Sequence, residues 1–137
     1  MTLVVDASMS VAWLIPDEHT VPTQQVLDRV VADGAYVPGV WTLEVGNALL
    51  LSERRGRMSA ENRMRAIRHL VALPIVTDAE TAAHAWHATW RVAEQFRLTL
   101  YDASYLELAL RRVLPLATLD RDLRHAARAL EIELLGA

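Results

Sequence analysis

Leu3-Val4-Val5-Asp6, near one end of the chain, and Leu116-Ala117-Thr118-Leu119-Asp120, near the other, share a pattern: a short apolar run that stops at an acid. Runs this short, rich in Val, Leu and Ile and not alternating, suit strands buried on both faces. Working outward, Ala35–Val37, Pro74–Thr77, Pro115–Thr118 and Ile132–Leu135 have the same character as Leu3–Val5. Longer segments with helical spacing lie between them. Apolar residues recur at Ala82, Ala85, Trp86, Ala93 and Phe96 after Asp78, at Leu106, Ala109 and Leu110 after Asp102, and at Leu123, Ala126, Ala127 and Leu130 after Asp120. Strands alternating with helices indicate βαβ crossovers and a parallel sheet between helical layers. Gly56 reads as the residue that ends one helix, and Ser59 as the N-cap of the next. The expectation is one α/β domain over residues 1–137.

Composition narrows the chemistry. Cysteine is absent, which excludes thiol nucleophiles, zinc–thiolate sites, iron–sulfur clusters and disulfides. All 14 basic residues are Arg, and without Lys there is no Walker-A loop, Schiff base or Ser–Lys pair. A net charge of −3 rules out a chain-wide basic field for nucleic acid. Residues 51–70 nevertheless hold six Arg against two acids, a local strip able to meet phosphates. No apolar run approaches the roughly 18–20 residues that span a bilayer. A cytoplasmic protein without membrane contact is expected.

Four acids stand out. Asp6 and Asp120 sit where a strand ends and a helix begins, and Asp102 is expected to open a helix over Ala103–Arg112. In an open parallel sheet, ligands bind outside the carboxyl ends of the strands. Taken singly, each Asp also reads as an N-cap. Glu44 lies in Val40–Ser52, a stretch otherwise free of charge, on a helical face that continues through Asn47, Ala48 and Leu51. It is either an exposed first-turn Glu or a carboxylate facing a polar site. If the four converge, each pair at ~5 Å and an effective dielectric of ~20 repels by roughly 3 kcal/mol. Such a cluster must hold protons or cations, and all-oxygen donors favour Mg²⁺ or Mn²⁺. These ions suit phosphoryl chemistry. Ser8 and Thr118 each stand two residues from an acid, as orienting hydroxyls or as plain turn and cap groups. Asp122 adds a carboxylate or simply complements a helix dipole.

With these residues in view, the sequence resembles the PIN-domain ribonucleases, and within them the VapC-type toxins of toxin–antitoxin pairs. The matching stretches are Val4-Val5-Asp6-Ala7-Ser8, Ala12-Trp13-Leu14, Val37-Pro38, Glu44-Val45-Gly46-Asn47-Ala48-Leu49, Leu100-Tyr101-Asp102-Ala103-Ser104-Tyr105-Leu106 and Ala117-Thr118-Leu119-Asp120. The resemblance implies a PIN-like three-layer α/β/α sandwich with about five parallel strands. It implies that Asp6, Glu44, Asp102 and Asp120 are catalytic, that Asp6, Asp102 and Asp120 hold Mg²⁺ or Mn²⁺, and that Thr118 supports them. The implied reaction is hydrolysis of an RNA phosphodiester by metal-activated water, leaving 5′-phosphate and 3′-hydroxyl ends. A cognate VapB-type antitoxin and a homodimer are implied as partners.

Other readings stand beside these. Arg54, Arg55 and Arg57, with Arg63, Arg65 and Arg68, form either a rail for RNA phosphates or a solvated face. Trp13, Trp41, Trp86 and Trp90 suit the core or an interface better than base stacking, with Trp86 and Trp90 on one helical stripe. The alternative function is a non-catalytic PIN-like module that binds RNA or protein. A doubly wound phosphatase is disfavoured, because Ser8 stands where its second Asp belongs and the usual Lys is missing.

Overall fold

The computed structural model describes all 137 residues. The elements run β1 (Leu3–Val5), α1 (Ala7–Ala12), a 3₁₀ turn (Pro16–Glu18), α2 (Val21–Asp33), β2 (Ala35–Val37), α3 (Trp41–Arg54), α4 (Ala60–Ala72) and β3 (Ile75–Thr77). They continue as α5 (Thr81–His84), α6 (Ala88–Phe96), α7 (Leu100–Arg112), β4 (Leu116–Ala117), α8 (Arg121–Ala129) and β5 (Leu134–Leu135). All five strands are parallel, in the order β3-β2-β1-β4-β5. Helices cover both faces, giving the three-layer α/β/α arrangement expected; α6 packs along α7, which lies on β1 and β4, while α1 packs on α3.

The core is where the apolar runs predict it. Leu3, Val4, Val5, Val37, Leu116 and Ala117 are fully buried, and Leu49, Leu106, Leu108, Leu123 and Ala126 close over them. The proline-headed runs are trimmed. β3 and β4 begin after Pro74 and Pro115, consistent with proline lacking the N–H that a ladder needs. β3 is also not buried on both faces: it is an edge strand, with Val76 and Thr77 exposed.

Helix boundaries follow local chemistry. Gly56 takes φ +73 just past α3, and the Ser59 hydroxyl accepts the Asn62 N–H at the start of α4, both as expected. Two expectations need correcting. The helix after Asp78 is broken at Ala85–His87 into α5 and α6, so Trp86 and Trp90 do not share a helix. They are 80% and 52% exposed, which removes them from the core. Trp41 is buried and donates to Ser10, and the half-buried Trp13 donates to the Thr23 carbonyl. The second correction concerns α7, which starts at Leu100. Its N-cap is Thr99, whose hydroxyl accepts the Asp102 N–H, so Asp102 lies at the third helical position. At its other end, α7 stops on Val113, which takes φ +54, a left-handed conformation unusual for a β-branched residue.

Candidate active site

Chain order reverses at β1. The chain runs outward through β2 and β3, then returns to place β4 on the other side of β1. A crevice at the carboxyl ends of β1 and β4 is the ligand position in sheets of this type. Asp6 follows β1, and Thr118, Leu119 and Asp120 follow β4.

Asp6 is only 3% exposed, yet every oxygen is answered. Its carboxylate accepts the Met9 N–H (2.9 Å), the Ser8 hydroxyl (2.8 Å) and the Thr118 hydroxyl across the crevice. The two hydroxyls also tie the loops together. Ser8 Oγ accepts the Leu119 N–H, and Thr118 Oγ1 accepts the Asp120 N–H, each at 3.0 Å. Burial pushes the Asp6 carboxyl up to about 6, against the pull of Thr118, Met9 and Ser8, and the charge of Asp120 adds to the rise.

Asp120 caps α8, with Oδ2 accepting the Leu123 N–H (2.9 Å). For Asp6 and Asp120 the N-cap reading holds, and capping leaves each carboxylate beside the crevice. Asp102 differs. Thr99 does the capping, so the half-buried Asp102 carboxylate has no helical duty. Its pKa is raised, first by burial and then by the charges of Asp120, Glu44 and Asp122. Glu44, in the first turn of α3, is half-buried, and Oε1 accepts the Tyr105 hydroxyl of α7 at 2.5 Å. Since Tyr105 and Asp102 are three apart on α7, they are neighbours on one helix face. Glu44 therefore turns toward the other acids. Asp122, at the second position of α8, is exposed and is the weakest of the three charges acting on Asp102.

The four acids thus feel one another, but no three acidic or histidine side chains form a ready-made cage for an ion. The donor set itself fits a hard divalent cation. It is all oxygen, and a bound cation would offset both the burial that raises Asp6 and Asp102 and the neighbouring charges that add to it.

Of the basic strip, Arg54, Arg55 and Arg57 are exposed at the far end of α3 from Glu44. Arg63 is committed to Glu53 (2.7 Å), and Arg65 leans on Glu61 (3.6 Å), so the strip is shorter than six arginines. A cavity of about 1000 Å³ lies away from the four acids. It lies between the 3₁₀ turn and the α3–α4 pair, with Leu14, Pro16, Met58 and Ala66 beside Arg57 and Arg65.

Two features were missed by sequence reasoning. Tyr105 looks like one more apolar residue in a helix that is buried from Ala103 to Ala109. The other is Asp78, a further acid just past a strand end, here β3. It is buried and held by Arg111 (2.6 Å), which also binds Glu107 (2.7 Å). Burial works to raise Asp78, but the Arg111 hydrogen bonds and charge win and hold its carboxyl below the ordinary range. Asp78 is therefore structural: its charge is answered inside the protein. The Glu107–Arg111 spacing of four on one helix was a signal that it had a partner in reach.

The family model described as PIN domain matches residues 3–129. This chain belongs to the PIN-domain family. Within the family its likeness is to the VapC type: Ribonuclease VapC3 of Pyrobaculum aerophilum is 28% identical over 130 residues, 95% of this chain and 98% of that protein. The crystal structure of PAE2754 from Pyrobaculum aerophilum superposes with a TM-score of 0.66 at 27% identity, covering 92% of this chain and 87% of that one. FitAcB from Neisseria gonorrhoeae gives 0.65 at 17% identity, covering 98% and 96%, a likeness of fold alone. The all-parallel five-stranded sheet agrees with a PIN-like fold.

Proposed function

We propose that this PIN-domain protein is a Mg²⁺- or Mn²⁺-dependent endoribonuclease and the toxin of a toxin–antitoxin pair. What supports the reading is the charge coupling of Asp6 with Asp120, and of Asp102 with Asp120 and Glu44, around the point where strand order reverses. Likeness to a protein named as a ribonuclease adds to it.

Asp6, Asp102 and Asp120 would hold the ion, and Glu44 would take a second ion or orient the attacking water. When bound, the ion supplies an activated water and charge compensation at the scissile phosphate. Thr118 and Ser8 fix the direction of the Asp6 carboxylate, the task of groups that orient metal ligands. Burial of Asp6 excludes water from one side of the site and strengthens every charge interaction there. Arg54, Arg55 and Arg57, about 15 Å along α3 from Glu44, would take up RNA phosphates a few nucleotides from the cut. Water as nucleophile gives 5′-phosphate and 3′-hydroxyl ends.

The acids also prescribe an inhibitor. A guanidinium from a VapB-type antitoxin would neutralise the crevice as a cation does, while an apolar segment of the same partner lies along α3 and α4, where Leu43, Met64 and Val71 are exposed. A homodimer is part of the proposal. No helix is long and apolar enough to cross a membrane.

The decisive experiment uses Asp102→Asn, because Asp102 caps no helix and its neutralisation leaves the fold alone. Wild-type protein freed of inhibitor is expected to cut a mixed RNA with Mg²⁺ or Mn²⁺ and not with EDTA. The fragments should accept 5′-end label only after phosphatase treatment. RNA that is bound but uncut with either ion would replace the enzyme by a non-catalytic binding module.

A further inference from the structure

Glu44 has little on its own helix to hold it. Thr42, Leu43 and Asn47 around it are exposed, and α3 lacks a side-chain N-cap. What fixes the carboxylate comes from α7. The Tyr105 ring is 1% exposed and among the largest fully buried side chains, so the core sets the position of its hydroxyl. That hydroxyl donates to Glu44 Oε1 and leaves Oε2 without a protein donor. Asp102 precedes Tyr105 by three residues, one turn along the same helix.

We infer that Tyr105 is the positioning residue for Glu44: a buried phenol holds the carboxylate beside α7, one turn from Asp102, with one oxygen left for the reaction. This rests on the metal-nuclease reading for its catalytic consequence, but not for its geometry. A phenol suits the task because it is a neutral donor. An Arg or Lys in its place would compete with the ion for the same acid.

Tyr105→Phe removes the hydroxyl and keeps the packed ring. Crystal structures of both proteins without added metal are expected to show the Glu44 carboxylate displaced from its position beside α7 in the variant. Calorimetric titration with Mn²⁺ should show an affinity about tenfold weaker, the usual scale for losing a group that orients a ligand. RNA cleavage should lose kcat while KM for RNA holds. Glu44→Gln should cause a similar loss of Mn²⁺ affinity, and the double variant should be no weaker than Glu44→Gln alone, since Tyr105 acts only through Glu44. An unmoved Glu44, or losses that add, overturns the inference and leaves the metal-nuclease reading intact. A displaced Glu44 in a protein whose wild type takes up no Mn²⁺ upholds the positioning role and overturns that reading instead.

Discussion

Replacing Asp6 by Asn tests the electrostatics of the crevice in a single comparison. Burial lifts the Asp6 carboxyl from 3.8 to about 6, so ionising it in the folded protein costs about 3 kcal/mol more than in the unfolded chain. The folded-state pKa lies above the unfolded one. The stability it confers is therefore fully present below 3.8 and is lost as pH rises through about 6. Asparagine keeps an oxygen to accept the Met9 N–H and carries no charge at any pH in the range. Urea denaturation of both proteins at pH 4, 5, 6 and 7 in EDTA should show the stability of Asp6→Asn, relative to wild type, climbing by about 2 kcal/mol across the series. Other groups, including the raised Asp102, titrate in both proteins and drop out of the difference. Adding Mg²⁺ at pH 7 should restore the wild type by about 2.7 kcal/mol at a hundredfold excess over its dissociation constant, and leave Asp6→Asn unchanged. A difference between the two proteins that stays constant from pH 4 to pH 7 would refute the argument that Asp6 is held against its will to ionise.

Thr118→Val removes a donor to Asp6 and the acceptor of the Asp120 N–H; it should cost about 1–3 kcal/mol and move the onset of Mg²⁺ stabilisation to higher pH, measured by melting with and without the ion. Arg111→Met strips buried Asp78 and Glu107 of their hydrogen-bonded guanidinium, leaving only the more distant Arg112 and His84, and should lose about 3 kcal/mol in urea. Because Asp78 is held below its ordinary pKa, that deficit should shrink as the medium is acidified through the carboxylate range. Val113→Gly, at φ +54 and fully in solvent, should raise stability by about 1 kcal/mol by relieving a left-handed β-branched residue, seen as a higher Tm with RNA cleavage unchanged.

The strands were legible because parallel sheets need unbroken apolar runs, and Leu3–Val5 and Ala35–Val37 emerge with the bounds read from the sequence. Two strand-end acids were legible for a different reason: Asp6 and Asp120 each follow a strand and cap the next helix at the same edge of the sheet. What could not be read was which strand-end acid is answered internally. Asp78 and Asp6 look alike in the sequence, and only the fold brings Arg111 to one and Thr118 to the other. The break at Ala85–His87 escaped notice because Ala82, Ala85 and Trp86 keep helical spacing through it. Tyr105 escaped because a buried phenol and a buried apolar ring obey the same periodicity; its hydroxyl matters only once Glu44 lies opposite.

The Ser8–Asp6–Thr118 clasp joins residues 110 and 112 positions apart. A ribosome making this chain releases Asp6 well before Asp120. Until the β4 stretch has emerged, β1 lacks its β4 neighbour and the crevice has only one wall. The crevice is therefore a late product of synthesis: neither wall can assemble it alone, and it forms only when both strands have been made.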